Sequence, residues 1–183
     1  MQMRDTVEGY GLVSRLLHWL MALAIVALFA LGLWMVELDY LSPYSKSAPD
    51  LHRSAGIVLL AALVLRFVWR LVNAKPSDAC LSPFERKAAH LVHWGFYPLL
   101  LALIISGYLI STPDGRPIDV FGLFEVPSLI RRKGLEDAAG EVHQWLAYLT
   151  IALATVHAAA AIKHHVVDRN RILVRMWSGP PKA

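Results

Sequence analysis

The sequence predicts an all-α integral membrane protein: a single domain spanning residues 1–183, folded as a four-transmembrane-helix bundle with both termini cytoplasmic. Three observations predict it. Hydrophobic residues make up 56% of the chain and charged residues 17%, with a mean hydropathy of +0.47, more apolar than a water-soluble domain of this length carries. Long uncharged runs recur along the chain, separated by polar links. The basic residues gather on one side of those runs.

The elements follow in order, with helices expected at about 12–36, 50–72, 85–112 and 139–166 and a longer outer loop at 114–138. Leu16 to Val36 is an uncharged run of 21 residues, Ala88 to Pro113 one of 26 and Val142 to Ile162 one of 21. Each meets the roughly 20 residues that cross a hydrocarbon core. The second span is less obvious, because the uncharged run Ser54 to Leu65 has only 12 residues. It reaches full length if Arg53, Arg66 and Arg70 snorkel or face the bundle. The links at 38–51 and 72–85 carry Pro, Ser, Asp and Lys, and their shortness makes neighbouring helices antiparallel. Thr112-Pro113 and Asp114-Gly115 end the third span.

With the N-terminus inside, the cytoplasmic segments hold Arg4, Arg15, Arg66, Arg70, Lys75, Arg86, Lys87, Lys163, Arg169, Arg171, Arg175 and Lys182, which is 12 against 6 outside. That places the chain across a membrane as a multi-pass protein with its N- and C-termini on the cytoplasmic side. The first run is too long for a signal h-region and lacks a small-residue cleavage site after it. The net charge of +4 flanks apolar spans, so it reads as topology and not as nucleic-acid binding. A single cysteine, Cys80, excludes an internal disulfide, a cysteine-ligated iron–sulfur cluster and covalent c-type haem attachment.

Six of the eight histidines lie inside or at the ends of the spans, where polar side chains are costly and usually functional. His143 and His157 are 14 residues apart on the fourth helix, about 21 Å along the axis and only about 40° from the same face. One helix thereby offers an imidazole to each of two stacked sites. Depth supplies the partners: His18 begins the first helix inside, level with His157, and His52 begins the second outside, level with His143. Ala22, Gly56, Gly140, Ala147, Ala154 and Ala161 flank these positions and leave room for a flat macrocycle. Two bis-histidine b-type haems, bound non-covalently, satisfy the pattern. Arg66 is 14 residues after His52 and is placed to pair with a propionate of the cytoplasmic-side haem, though an arginine at that depth also snorkels.

A lone histidine near a span end is commonly an interfacial residue or a helix–helix hydrogen bonder, which is the simpler reading for His90, His164 or His165 taken singly. His93 is a rival to His18 as partner of His157, since both helices start inside. His93-Trp94 repeats His18-Trp19, and each histidine is followed 14 residues later by a glycine, Gly107 and Gly32.

Several stretches resemble the bacterial cytochrome b561 family along nearly the whole chain. They are Arg15-Leu-Leu-His18-Trp19-Leu, His52-Arg-Ser-Ala-Gly56-Ile, Ala89-His90-Leu-Val-His93, His143-Gln-Trp-Leu-Ala, and the alanine run from His157 to His164-His165. The resemblance implies haem ligands at His18, His52, His143 and His157, favouring His18 over His93. It lies nearest the family's superoxide-oxidising members. It therefore implies that superoxide outside reduces the outer haem, and that electrons cross to the inner haem and reduce ubiquinone near the cytoplasmic face. His90 and His164 are the candidates to hydrogen-bond or protonate the quinone. Arg131, Arg132 and Lys133 are candidates to steer superoxide, although the outer segments carry 9 acidic against 6 basic residues and the cluster equally suits lipid headgroups. The alternative in the same family is a di-haem subunit linking a hydrogenase or dehydrogenase partner to quinone; the short termini favour a stand-alone enzyme that requires no protein partner. A histidine-lined metal transporter fits poorly, because the apolar runs within the spans hold no Asp or Glu.

Overall fold

The computed structural model describes residues 2–179, in which five helices and one small hairpin are present. Lys182, counted above among the inner basic residues, lies outside the described residues. Four helices, α1 (Leu12–Val36), α2 (Ser47–Val72), α3 (Pro83–Ser111) and α4 (Leu135–Val166), are long and apolar enough to cross a membrane. Between α3 and α4 lie β1 (Ile118–Val120) and β2 (Phe124–Val126), and a short α5 (Ile172–Trp177) follows α4. The chain runs up and down, so its first and last described residues and the α2–α3 link share one end, the terminal end. The α1–α2 link and the hairpin share the other, the hairpin end.

Local chemistry sets where each helix begins. The Asp5 carboxylate accepts the Gly11 N–H and the Ser14 hydroxyl, both at 2.7 Å, satisfying a donor at the start of α1. Position 11 takes glycine because any Cβ there would collide with the backbone of Met3 and Arg4. α2 starts at Ser47, upstream of the expected position near 50, since Pro49 falls in a first turn that needs no N–H from it. α3 opens with a capping box in which Ser82 and Glu85 cap each other's backbone and Pro83 takes the first helical position, and it continues through Pro98. α4 also starts early, at Leu135, after Gly134 in the left-handed region (φ 84°); Glu136 and Asp137 then suit the positive end of the helix dipole.

The common core is Met21 of α1, Leu59 and Leu63 of α2, and Leu100 and Ile104 of α3. α1 packs closely on α2, and α3 on α4; α1 approaches α4 at few points, leaving a loosely closed seam between them. Large apolar side chains such as Leu23, Val58, Leu91 and Val156 face outward, as lipid contact requires, while the helices satisfy their own backbone.

At the hairpin end, the long loop is more ordered than a plain polar segment. Ile118 pairs with Val126 and Val120 with Phe124 around a three-residue link, 121–123, whose first two residues, Phe121 (φ 55°) and Gly122 (φ 70°), are both left-handed. Ser54 of α2 pins this hairpin, donating to the Asp119 carbonyl (3.0 Å) and accepting from the Phe121 N–H (3.3 Å). At the terminal end, α5 folds back: the Met176 carbonyl accepts from the Trp19 indole (3.1 Å), the Trp177 carbonyl from Arg15, and the Ser77 carbonyl from Arg175 (2.8 Å).

Candidate functional site

The four spans bring the histidines together as two groups, one at each end. At the hairpin end, the rings of His52 (α2) and His143 (α4) are 6.1 Å apart between centroids, with planes crossing at 73°. At the terminal end, His18 (α1) and His157 (α4) are 6.3 Å apart at 74°, across the loose α1–α4 seam. His93 of α3 also faces His157, but at 5.1 Å, and Phe96 covers the same ring at 5.9 Å.

These separations bear directly on metal ligation. Two imidazoles bound to opposite sides of one metal ion, with metal–nitrogen bonds of about 2.0 Å, place their ring centres roughly 6 Å apart. The 6.1 and 6.3 Å pairs meet that spacing, and the 5.1 Å pair is too close for it.

The orientation of the ring at the hairpin end is fixed. His143 Nδ1 donates to the Leu103 carbonyl at 2.9 Å and lies 3.2 Å from Ser106 Oγ, which itself donates to that carbonyl at 2.8 Å. A carbonyl accepts only, so the ring proton sits on Nδ1 and the Nε2 lone pair is left for a metal. Both rings also lie against glycine backbone. A Cβ at Gly107 would come within 2.9 Å of His143 Cε1, and one at Gly32 within 3.3 Å of His52 Cε1. His52 Nδ1 is buried without a hydrogen-bond partner.

The terminal-end ring meets a cation instead. Arg66 Nη2 is 3.2 Å from His18 Nδ1, and Arg66 Nη1 is buried with no partner. A buried guanidinium without an anionic partner is costly, and a ligand carboxylate would relieve it. The orphan atoms of His52 and Arg66, the glycine faces and the ring separations together fit a haem with imidazole ligands and acidic side arms.

The remaining candidates lie apart from these pairs. His90 lines an open cleft of about 520 Å³ with Lys75, Arg86, Lys87 and Leu91, large enough for a small-molecule headgroup. His164 Nδ1 is 2.6 Å from Asp168 Oδ2, and Lys163 Nζ bridges Asp168 and Glu85 at 2.8 Å each. Asp168's carboxyl is held below the usual carboxylate range chiefly by the Lys163 bond and then by His164. Among the described residues no hydrogen bond joins His90 to His164. Arg131, Arg132 and Lys133 are exposed coil. The Arg131 side chain lies against Gly115, and Lys133 shares a cleft with Asp114 and Glu136, so the cluster is not a bare positive surface.

Sequence reasoning missed the Leu103 carbonyl and Ser106 behind His143, and it noted Gly32 and Gly107 as a repeat without a role. The repeat was the available signal: a glycine 14 residues from a histidine stands level with the other site.

The family profile described as prokaryotic cytochrome b561 matches residues 9–179. The chain is 45% identical over 178 residues to "Cytochrome b561 homolog 2" of Escherichia coli (strain K12), covering 96% of this chain and 95% of that one. It is 29% identical over 172 residues to "Probable superoxide oxidase CybB" of Yersinia pestis (92% and 96%). It is 26% identical over 168 residues to "Cytochrome b561 homolog 1" of E. coli K12 (87% and 92%). The four apolar spans and the paired imidazoles agree with these matches: the chain belongs to the prokaryotic cytochrome b561 family, membrane electron-transfer proteins that bind b-type haem.

Proposed function

We propose that this protein is a di-haem oxidoreductase of the bacterial inner membrane that oxidises superoxide at the outer face and delivers the electrons to ubiquinone near the cytoplasmic face. The observation that carries the reading is the pair of imidazole couples at 6.1 and 6.3 Å at opposite ends of one bundle, with α4 contributing to both. His52 and His143 hold the outer haem, and His18 and His157 the inner one. The 5.1 Å approach of His93 to His157 supports His18 as the ligand and leaves His93 as a packing neighbour. Haem, when bound, supplies a one-electron iron couple.

The chain's own residues then have defined tasks. His143 presents Nε2 because Leu103 holds its Nδ1 proton. Arg66 offers its free Nη1 to a carboxylate of the inner haem. His90 and His164 serve the quinone, and Arg131, Arg132 and Lys133 attract the anion. The reaction balances as two superoxide ions each losing one electron to become dioxygen, while the quinone gains two electrons and two protons to become quinol. The name of the 29% identical relative supports the substrate. The second reading is an electron-transfer subunit for a hydrogenase or dehydrogenase partner; the 45% identical relative carries only the family's name and no substrate.

The test is a reduced-minus-oxidised spectrum of the purified protein with haem-to-chain stoichiometry, followed by rapid mixing with superoxide. Two low-spin haems reduced rapidly and reoxidised by ubiquinone are expected. Fewer than two haems overturns the site. Two haems unreactive toward superoxide, together with a co-purifying catalytic subunit, moves the function to the second reading.

A further inference from the structure

The two histidine pairs differ in charge, and the difference points along the bundle. Arg66 stands at the terminal end, in the interior of α2, with Nη2 at 3.2 Å from His18. No carboxylate among the described residues pairs with it, and its Nη1 is buried and unpartnered. Tyr97, Tyr10 and Arg70 lie about Arg66, and His157 and His93 beside His18; none of them is a carboxylate. At the hairpin end, among the described residues, no cation is hydrogen-bonded to either ring. Arg53, next to His52, is paired with Asp50, and His143 Nδ1 donates to the Leu103 carbonyl at 2.9 Å.

Each arrangement moves a redox centre in a known direction. A fixed positive charge beside a centre favours its reduced form, because reduction removes a positive charge from the same low-dielectric surround. An imidazole whose N–H is held by a carbonyl is a more basic ligand, which favours the oxidised form. Carboxylate side arms would accompany haem at both ends, so they do not distinguish the ends; Arg66 is present at only one.

We propose that Arg66 and the Leu103 carbonyl set the order of the two potentials, with the terminal-end centre the better acceptor, so that an electron arriving at the hairpin end runs downhill to the other. This rests on the di-haem reading above. The step is one electron: the His52/His143 centre is oxidised, the His18/His157 centre is reduced, and no bond or proton changes hands. In that reading the electron comes from superoxide and leaves with the quinone. Arg66 acts here as a positioning and tuning residue, not as a ligand.

The experiment is an equilibrium redox titration of the detergent-purified holoprotein, followed optically, with the two waves assigned by His18→Ala and His143→Ala. The wild type should show two waves, the higher one being lost in His18→Ala. Arg66→Gln should lower that wave so that the equilibrium between the centres falls at least 10-fold, about 59 mV for one electron. The wave lost in His143→Ala should stay in place, and Arg66→Lys should restore most of the difference. An Arg66→Gln protein with unmoved waves overturns the proposal, as does one in which only the hairpin-end wave moves. If Arg66→Gln loses its haem, the wild-type order still decides: a hairpin-end centre equal to or above the terminal-end one overturns it. A wild-type protein with fewer than two haems defeats the di-haem reading itself, an outcome distinct from all of these.

Discussion

The hairpin-end and terminal-end histidine pairs have nearly the same ring separation, 6.1 and 6.3 Å, yet they are mounted by different means. At the hairpin end each ring rests against helix backbone, His52 at Gly32 and His143 at Gly107. At the terminal end the rings stand among side chains: Trp19 beside His18 at 5.1 Å, His93 and Phe96 around His157, and Arg66 on Nδ1. A backbone mount leaves little room for an added side chain, least where the ring is itself held by a hydrogen bond. A side-chain mount can be retuned one residue at a time.

This contrast can be broken most forcefully at Gly107. A methyl group there would sit 2.9 Å from His143 Cε1 and 3.2 Å from Nδ1, a ring that Leu103 prevents from yielding. Gly107→Ala should cost about 1–3 kcal/mol of overpacking and deplete the hairpin-end haem selectively, read as stoichiometry falling from two toward one. Retention of both haems with unchanged spectra would show that the backbone mount is not rigid. The next largest effect separates the two rivals at the terminal end. His18→Ala should lose one haem, whereas His93→Ala should keep both and shift only the spectrum of the terminal-end centre; haem content of the two variants checks this.

Gly32→Ala should do less than Gly107→Ala. Its Cβ would stand 3.3 Å from His52 Cε1, and His52 Nδ1 has no bond holding it, so the ring can give way at a cost of about 1 kcal/mol or less. A paramagnetic-resonance spectrum of the oxidised protein should show a displaced hairpin-end signal and an unmoved terminal-end one.

The smallest effect concerns acid. Asp168 is held low chiefly by Lys163, and Asp78 by Lys75 at 2.5 Å with Arg86 also nearby. A depressed carboxylate contributes stability above its unfolded pKa and loses it as pH falls through the folded one. The links around α5 and the α2–α3 connection should therefore persist from neutral pH to about pH 4 and weaken only below it. Limited proteolysis after α4 across that range checks the sign: cleavage that rises already between pH 7 and 5 contradicts it.

Much of this architecture was legible in the residues because a bilayer enforces it. The spans follow from uncharged runs, and the imidazole pairs from a 14-residue spacing on a 3.6-residue helix. The hairpin was not legible, since strands of three residues give no usable alternation and its turn places Phe121, not glycine, at a positive φ. The bond from His143 to the Leu103 carbonyl was equally hidden, as any residue type supplies that acceptor. The capture of His164 by Asp168 was within reach, the two being four residues apart near a helix end.

The docking of α5 has a consequence for assembly. α5 leaves the ribosome after all four spans, and its carbonyls close onto Arg15 and Trp19, the latter adjacent to His18. Until that closure Trp19, whose ring lies 5.1 Å from that of His18, lacks its neighbour Trp177 at 5.2 Å. The bonds that tie α5 to α1 therefore form only once the last span has been made.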